Sequence, residues 1–221
     1  MIRSGLAQGV LDRRTFVAGS AGALMGAVVP EPLYSLPSQQ VANRNILGPT
    51  DGYSPLMGTL VSMMNWMRPS VISAVGGLSQ EELDYLYDSE ANTIGALLMH
   101  LGGTEVAYQR STLDRRDYSR RERREWQVAS SLGAEAREQI KGHPLEYYLS
   151  RLEEVRAKTL EEFRLRDDDW LAEVDPSFAW GPTNNFAKWF HVCEHEANHR
   201  GQITWLQKRL PGHEFANAVR G

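Results

Sequence analysis

Phe190-His191-Val192-Cys193-Glu194-His195-Glu196-Ala197-Asn198-His199-Arg200-Gly201-Gln202-Ile203 is the stretch on which the reading of this chain turns. His195 and His199 are four residues apart, just over one helical turn. On a helix their imidazoles therefore point the same way to within about 40°. Two neutral imidazoles at that spacing can grip one metal ion without straining the helix. His191 extends the stripe one turn earlier. Val192, Ile203, Leu206 and Leu210 fall on the same face by the 3.6-residue period, so the stripe is expected to face a core. Histidines turned toward an apolar core need partners, because an unpaired buried polar group costs on the order of 1–3 kcal/mol. A metal ion satisfies several of them at once. Phe186, Phe190, Cys193 and Ala197 lie on the opposite side. A helix apolar on two sides is packed on two sides, against core or against a second subunit in a homodimer.

Working outward, this helix is expected from about Asn184 to Leu210, where Pro211-Gly212 stops it. Pro144 opens another, to about Arg166, with Leu145, Leu149, Leu152, Val155 and Phe163 as its apolar stripe. A third runs from about Ala91 to Gln109. A fourth runs from Tyr53 to about Val75, with Pro69 inside it. Ser79-Gln80-Glu81-Glu82 is a capping box that opens a short helix through Leu86. Residues 110–125 interleave seven arginines with Asp114, Asp117, Glu122 and Glu125, which reads as a solvated face of mixed charge. No segment alternates apolar and polar residues, so no strands are expected. Four long amphipathic helices in one domain make an all-α four-helix bundle over residues 51–212.

The ends of the chain differ from its middle. Arg3, Arg13 and Arg14 precede an uncharged, Ala- and Gly-rich stretch from Phe16 to Val29, and Pro30 and Pro32 follow. That is a signal segment over residues 1–30, too short to be a typical transmembrane helix. Asp12-Arg13-Arg14-Thr15-Phe16-Val17 resembles the twin-arginine export signal, with Asp12 standing where Ser or Thr is usual. The expectation is therefore a periplasmic or extracellular protein that reaches the export machinery already folded, or a membrane-anchored one if the signal is not cleaved. Residues 31–50 read as a linker and 213–221 as a polar tail. The chain's 221 residues carry a net charge of −4, which argues against nucleic acid as a partner. Its single cysteine, Cys193, excludes an internal disulfide and any multi-cysteine metal site.

Two histidines on one helix are an incomplete site, since a catalytic zinc-like centre usually takes three protein ligands and leaves a position open. Of the remaining histidines, His143 reads as a helix-start or loop residue and His213 as a residue of the tail. His100 lies in the apolar run Gly95-Ala96-Leu97-Leu98-Met99-His100-Leu101. Its helical face carries Thr93, Ala96, Leu97, Thr104 and Ala107, small enough to admit another helix or leave a pocket. Gly102, Gly103 and Gly201 cost helix stability, which close helix contact beside the site would explain; Gly102-Gly103 also fits a helix end. Glu105, Glu194 and Glu196 are the nearby carboxylates, but by helical phase none clearly faces the histidines. Arg200 reads as an ion-pair residue.

With these residues in place, roughly residues 50–210 resemble the DinB-like (DinB/YfiT) superfamily of metal-binding four-helix bundles. The resemblance rests on His100 in an apolar helix preceded by Thr93-Ile94-Gly95, and on the closing signature His195-x-x-x-His199-Arg200-Gly201-Gln202-Ile203. It implies a divalent-metal triad of His100, His195 and His199, with His191 as an alternate ligand or a supporting residue behind the triad. It also implies a metal-dependent enzyme on a small molecule, either a hydrolase or a transferase using a low-molecular-weight thiol. A metal-stabilised structural or binding protein is the alternative. The metal would be zinc, nickel or iron, all of which suit imidazole.

Overall fold

The structure is a computed structural model that describes residues 45–212. The expected signal segment, most of the linker and the tail with His213 lie outside the described residues. The described chain is mostly helical.

Helix α1 (Pro55–Val75) begins with Pro55, where a missing N–H costs nothing, and contains Pro69. Its first turn is capped from a distance: Asp168 Oδ1 accepts from the backbone N–H groups of Leu56 and Met57, each at 3.0 Å. The Ser79–Glu82 capping box opens α2 (Gln80–Leu83), which stops three residues earlier than Leu86. Helix α3 (Ile94–Tyr108) starts at Thr93, whose hydroxyl accepts from Ala96 N–H at 3.0 Å. Past Tyr108 the coil widens into a π-helical segment, Gln109–Asp114. There follow α4 (Arg120–Glu122), a second π-helical segment (Arg123–Gln127), α5 (Val128–Ser131) and α6 (Gly133–Gln139). Helix α7 (Leu145–Phe163) starts directly after Pro144. Asp167 caps α8 (Asp168–Ala172) and Asn184 caps α9 (Asn185–Gln207), the histidine helix. Against the expectation of no strands, β1 (Val174–Asp175) and β2 (Thr183–Asn184) pair antiparallel. Two residues per strand are too few for alternation to register in the sequence.

The four long helices pack in a closed circuit: α1 on α9, α9 on α3, α3 on α7, and α7 back on α1. The faces that meet are those the 3.6-residue period marks. Met57, Leu60 and Met64 of α1, Phe163 of α7, and Trp189 and Val192 of α9 form one buried cluster. Each fully buried side chain of this size contributes roughly 1.5–3 kcal/mol by leaving water. Phe186 and Ala197 pack against the same cluster and Cys193 is buried in it, so the second apolar side of α9 is core; Phe190 is exposed.

The sequence reading did not anticipate a charged cluster at the centre of this packing. Each long helix contributes one residue: Arg68, Glu105, Arg156 and Glu196, all buried. Arg68 donates to Glu196 at 2.7 Å and to Glu105 at 3.0 Å. Arg156 donates to Glu196 at 2.6 Å and to Glu105 at 2.8 Å. Burial alone would raise the Glu105 carboxyl, but Arg156 and Arg68 outweigh it and hold it below the usual carboxylate range.

Gly102 and Gly103 mark close contact, as expected. A Cβ on Gly102 would stand 2.8 Å from the Trp126 ring, and one on Gly103 2.8 Å from Ser130 Oγ. Gly201 departs from the expectation, because a Cβ there would meet nothing within 4 Å. The arginine-rich stretch is a solvated face of mixed charge, with Arg116 paired to Glu122 and Asp114. Arg200 forms no ion pair among the described residues; its carbonyl accepts from Thr204. No helix among the described residues is long and apolar enough to cross a membrane.

Candidate metal centre

Helices α3 and α9 run antiparallel and face each other in steps of four residues. His100 lies beside His195 and His199, Thr104 beside His195, and Tyr108 beside His191. The apolar flanks of both helices fix this register, because Leu97, Leu98 and Leu101 of α3 and Val192, Ile203 and Leu206 of α9 are all buried.

At the centre of the seam three imidazoles converge. His195 Nε2 is 2.8 Å from His100 Nε2 and 3.1 Å from His199 Nε2. The far nitrogens of two rings are already committed. His100 Nδ1 lies 2.8 Å from the Ala129 carbonyl, which can only accept, so Nδ1 carries the proton. His199 Nδ1 lies 3.0 Å from Gln202 Oε1, which likewise only accepts. Both rings are thereby held in the tautomer that leaves Nε2 as a bare lone pair, and fixing the outer nitrogen in this way is how proteins orient histidine ligands.

Burial keeps the rings neutral. It lowers His100 from its ordinary 6.5 to about 4, with the Ala129 carbonyl acting in the opposite direction. It lowers His195 to about 3, helped by His199, His100 and His191, and it lowers His199 as well. Neutral imidazoles are the form that binds metal. Two nitrogens bound about 2.0–2.1 Å from one tetrahedral ion lie about 3.3 Å apart, close to the spacing here. A proton on His195 Nε2 can serve only one of the two bare lone pairs well, whereas a cation among the three rings engages both. The three histidines can hold one metal ion.

Of the other residues marked in the sequence, His191 stands beside this group rather than in it. Its Nδ1 is 2.8 Å from Tyr108 Oη, and its ring lies 4.9 Å from that of His195 and 4.9 Å from Trp180. Glu105 and Glu196 belong to the charged cluster, and exposed Glu194 reaches only toward His191, at 3.9 Å. Among the described residues no glutamate lies within ion-pair distance of the triad, as helical phase suggested, and Glu194 acts on His199 only through its charge. His143 stacks on Tyr147, with ring centres 3.9 Å apart. Burial pushes the Cys193 thiol up to about 12, so it stays protonated and inert.

Three contributors escaped the sequence reading. Thr104 was noted only as a small residue of the His100 face, yet its hydroxyl lies 3.1 Å from His195 Nε2. Gln202 was quoted in the closing signature without its role of holding His199. The Ala129 carbonyl is a backbone group 29 residues from His100, and no local pattern points to it. Gln202 also lines a groove of about 530 Å³, together with Leu97, Asn198, Gly201 and Trp205. Gly201 opens onto this groove and not onto a helix, which accounts for the free space at its Cα.

A comparison with protein families finds one whose model, mycothiol-S-transferase, matches residues 59–212. No curated protein matches the chain. The matched span begins in α1, runs through both helices of the histidine seam and ends just past α9. It therefore takes in His100, His195 and His199 with the elements that carry them, and the chain belongs to the mycothiol-S-transferase family, one of the DinB-like families.

Proposed function

We propose that the chain is a metal-dependent transferase that uses a low-molecular-weight thiol, with His100, His195 and His199 as the protein ligands of one divalent ion. The long helices α1, α3, α7 and α9 make a four-helix bundle over residues 51–212, a reading that their closed circuit of packing supports. When bound, the ion supplies Lewis-acid stabilisation of a thiolate, so that a thiol with an ordinary pKa of about 8.5 is ionised near neutral pH.

The residues of the chain prepare for that chemistry. His100 and His199 keep Nε2 unprotonated through their Nδ1 bonds. Cys193 is inert, so the reacting sulfur comes from outside the chain. The single observation that carries the reading is the convergence of three Nε2 atoms, two of them on rings whose Nδ1 is already committed. Tyr108 engages His191, which favours three protein ligands and a position for substrate over a saturated, purely structural site. The family match favours the thiol over hydrolysis. Zinc, nickel and iron all suit imidazole ligands, and supply at folding helps decide among them.

The test is metal analysis of the purified protein beside its His199→Ala variant, with conjugation of mycothiol to an electrophilic fluorophore followed in parallel. One ion per chain and metal-dependent conjugation are expected, both lost in the variant. Equal metal content in the two proteins contradicts the ligand assignment. Metal binding without consumption of thiol favours a non-catalytic metal protein. For residues 1–30 the proposal is export by the twin-arginine route. The double change Arg13→Lys and Arg14→Lys should hold the protein in the cytoplasm, and unaltered export contradicts it.

A further inference from the structure

Threonine in the middle of a helix ordinarily turns its hydroxyl back onto the carbonyl four residues earlier. Thr59, Thr112 and Thr204 do so, donating to Pro55, Tyr108 and Arg200 at 2.7–2.9 Å, while Thr159 lies 3.2 Å from the Val155 carbonyl and donates at 2.6 Å to the buried Glu105 carboxylate. Thr104 alone among the described helical threonines makes no bond to a carbonyl of its own helix. Its hydroxyl leaves the helix backbone and points across the seam, 3.1 Å from His195 Nε2. That nitrogen is the one through which His195 would hold the ion, and it also lies within 3.1 Å of the Nε2 atoms of His100 and His199. Once the His195 lone pair is given to a cation, Thr104 loses its partner. Its hydroxyl is then half-buried at the edge of the triad, still directed at the centre. That leaves a directed donor free for the next acceptor to arrive.

We propose that the Thr104 hydroxyl donates a hydrogen bond to the sulfur of the thiol cosubstrate, fixing it at the triad. The inference rests on the thiol-transferase reading above. Thr104 is a positioning residue for the thiolate and not a metal ligand. A hydrogen bond to a charged acceptor is stronger than one to a neutral acceptor, so the ionised sulfur is held more tightly than a neutral thiol or water in the same place.

The test compares full-length wild type, Thr104→Val, which keeps the shape and loses the hydroxyl, and Thr104→Ser, which restores it. Each is loaded with cobalt(II) and titrated with mycothiol, and the thiolate-to-cobalt charge-transfer absorption reports binding of sulfur. Cobalt content and melting temperature are measured on the same samples. Thr104→Val is expected to keep its metal and its melting temperature while mycothiol affinity falls about tenfold, and Thr104→Ser is expected to recover most of the loss. A merely structural role would move the melting temperature and would leave thiol affinity where it was. Unchanged affinity in Thr104→Val overturns the role of Thr104 alone, and so does loss of cobalt along with the hydroxyl. A wild-type protein that binds cobalt yet shows no thiolate band overturns the thiol reading, and this inference with it.

Discussion

His195 and Glu196 are adjacent on α9, yet they serve buried polar clusters of opposite kinds. Glu196 joins Glu105, Arg68 and Arg156, one residue from each long helix, in a set whose formal charges cancel. Its polar groups are mostly spent on one another, and Arg156 Nη1 and Arg68 Nη1 go on to bond the carbonyls of Met64 and Leu152. His195 joins His100 and His199 in a set drawn from only two helices, with no opposite charge inside it. There the outer nitrogens of His100 and His199 are satisfied and the three inner ones face each other. A cluster that closes on itself holds a fold together. One whose inner nitrogens have only each other can hold a cation. Glu196 between His195 and His199 lets one helix serve both, since the charged cluster fixes α9 against α1, α3 and α7 while the histidine face stays free.

The comparison is broken most directly at Glu105. Glu105→Ala leaves two buried guanidinium groups short of a partner and should destabilise the fold by about 3–5 kcal/mol in urea unfolding. A loss below about 1 kcal/mol would mean that the cluster is not a structural tie. The histidine cluster should respond in another way. Zinc at a hundredfold over its dissociation constant should stabilise wild type by about 2.7 kcal/mol and leave His199→Ala unmoved. Equal stabilisation of both proteins would locate the metal elsewhere.

The two clusters also separate with pH. His100 and His195 fall to about 4 and about 3 in the folded protein, against 6.5 ordinarily. The unfolded chain therefore takes up protons first as pH drops. In the metal-free protein the stability present above about pH 6.5 should be lost progressively between there and about pH 3. The Glu105 carboxyl is depressed from 4.5, so its contribution is intact down to about pH 4.5 and is lost only below it. Melting temperatures of metal-free wild type and His100→Asn between pH 7.5 and 5 check this, with the variant expected to show the shallower decline. The smallest effect concerns Gly201. With nothing within 4 Å of its Cβ position, Gly201→Ala should stabilise α9 by about 0.5–1 kcal/mol in thermal melts, whereas Gly102→Ala drives a methyl into Trp126 and should destabilise. A destabilising Gly201→Ala would show that the groove beside His199 is tighter than its geometry indicates.

The histidine cluster was legible in the sequence and the charged cluster was not, for a physical reason. His195 and His199 announce themselves by local spacing, and His100 by its place in an apolar run. Arg68, Glu105, Arg156 and Glu196 each look like one more charge among many, and their meeting depends on contacts up to 128 residues apart. The cap at Ser79 was legible because a cap is a local bond. The distant cap that Asp168 gives α1 was not. The π-helical segments of residues 109–127 went unread because each shifts the helical phase within a stretch already dominated by charge.

The central claim is that residue 100, on one helix, shares an ion with residues 195 and 199 on another. X-ray absorption of the zinc-loaded protein should find three imidazole nitrogens at about 2.0–2.1 Å in wild type and two in His100→Ala. An identical first coordination shell in the two proteins would contradict it.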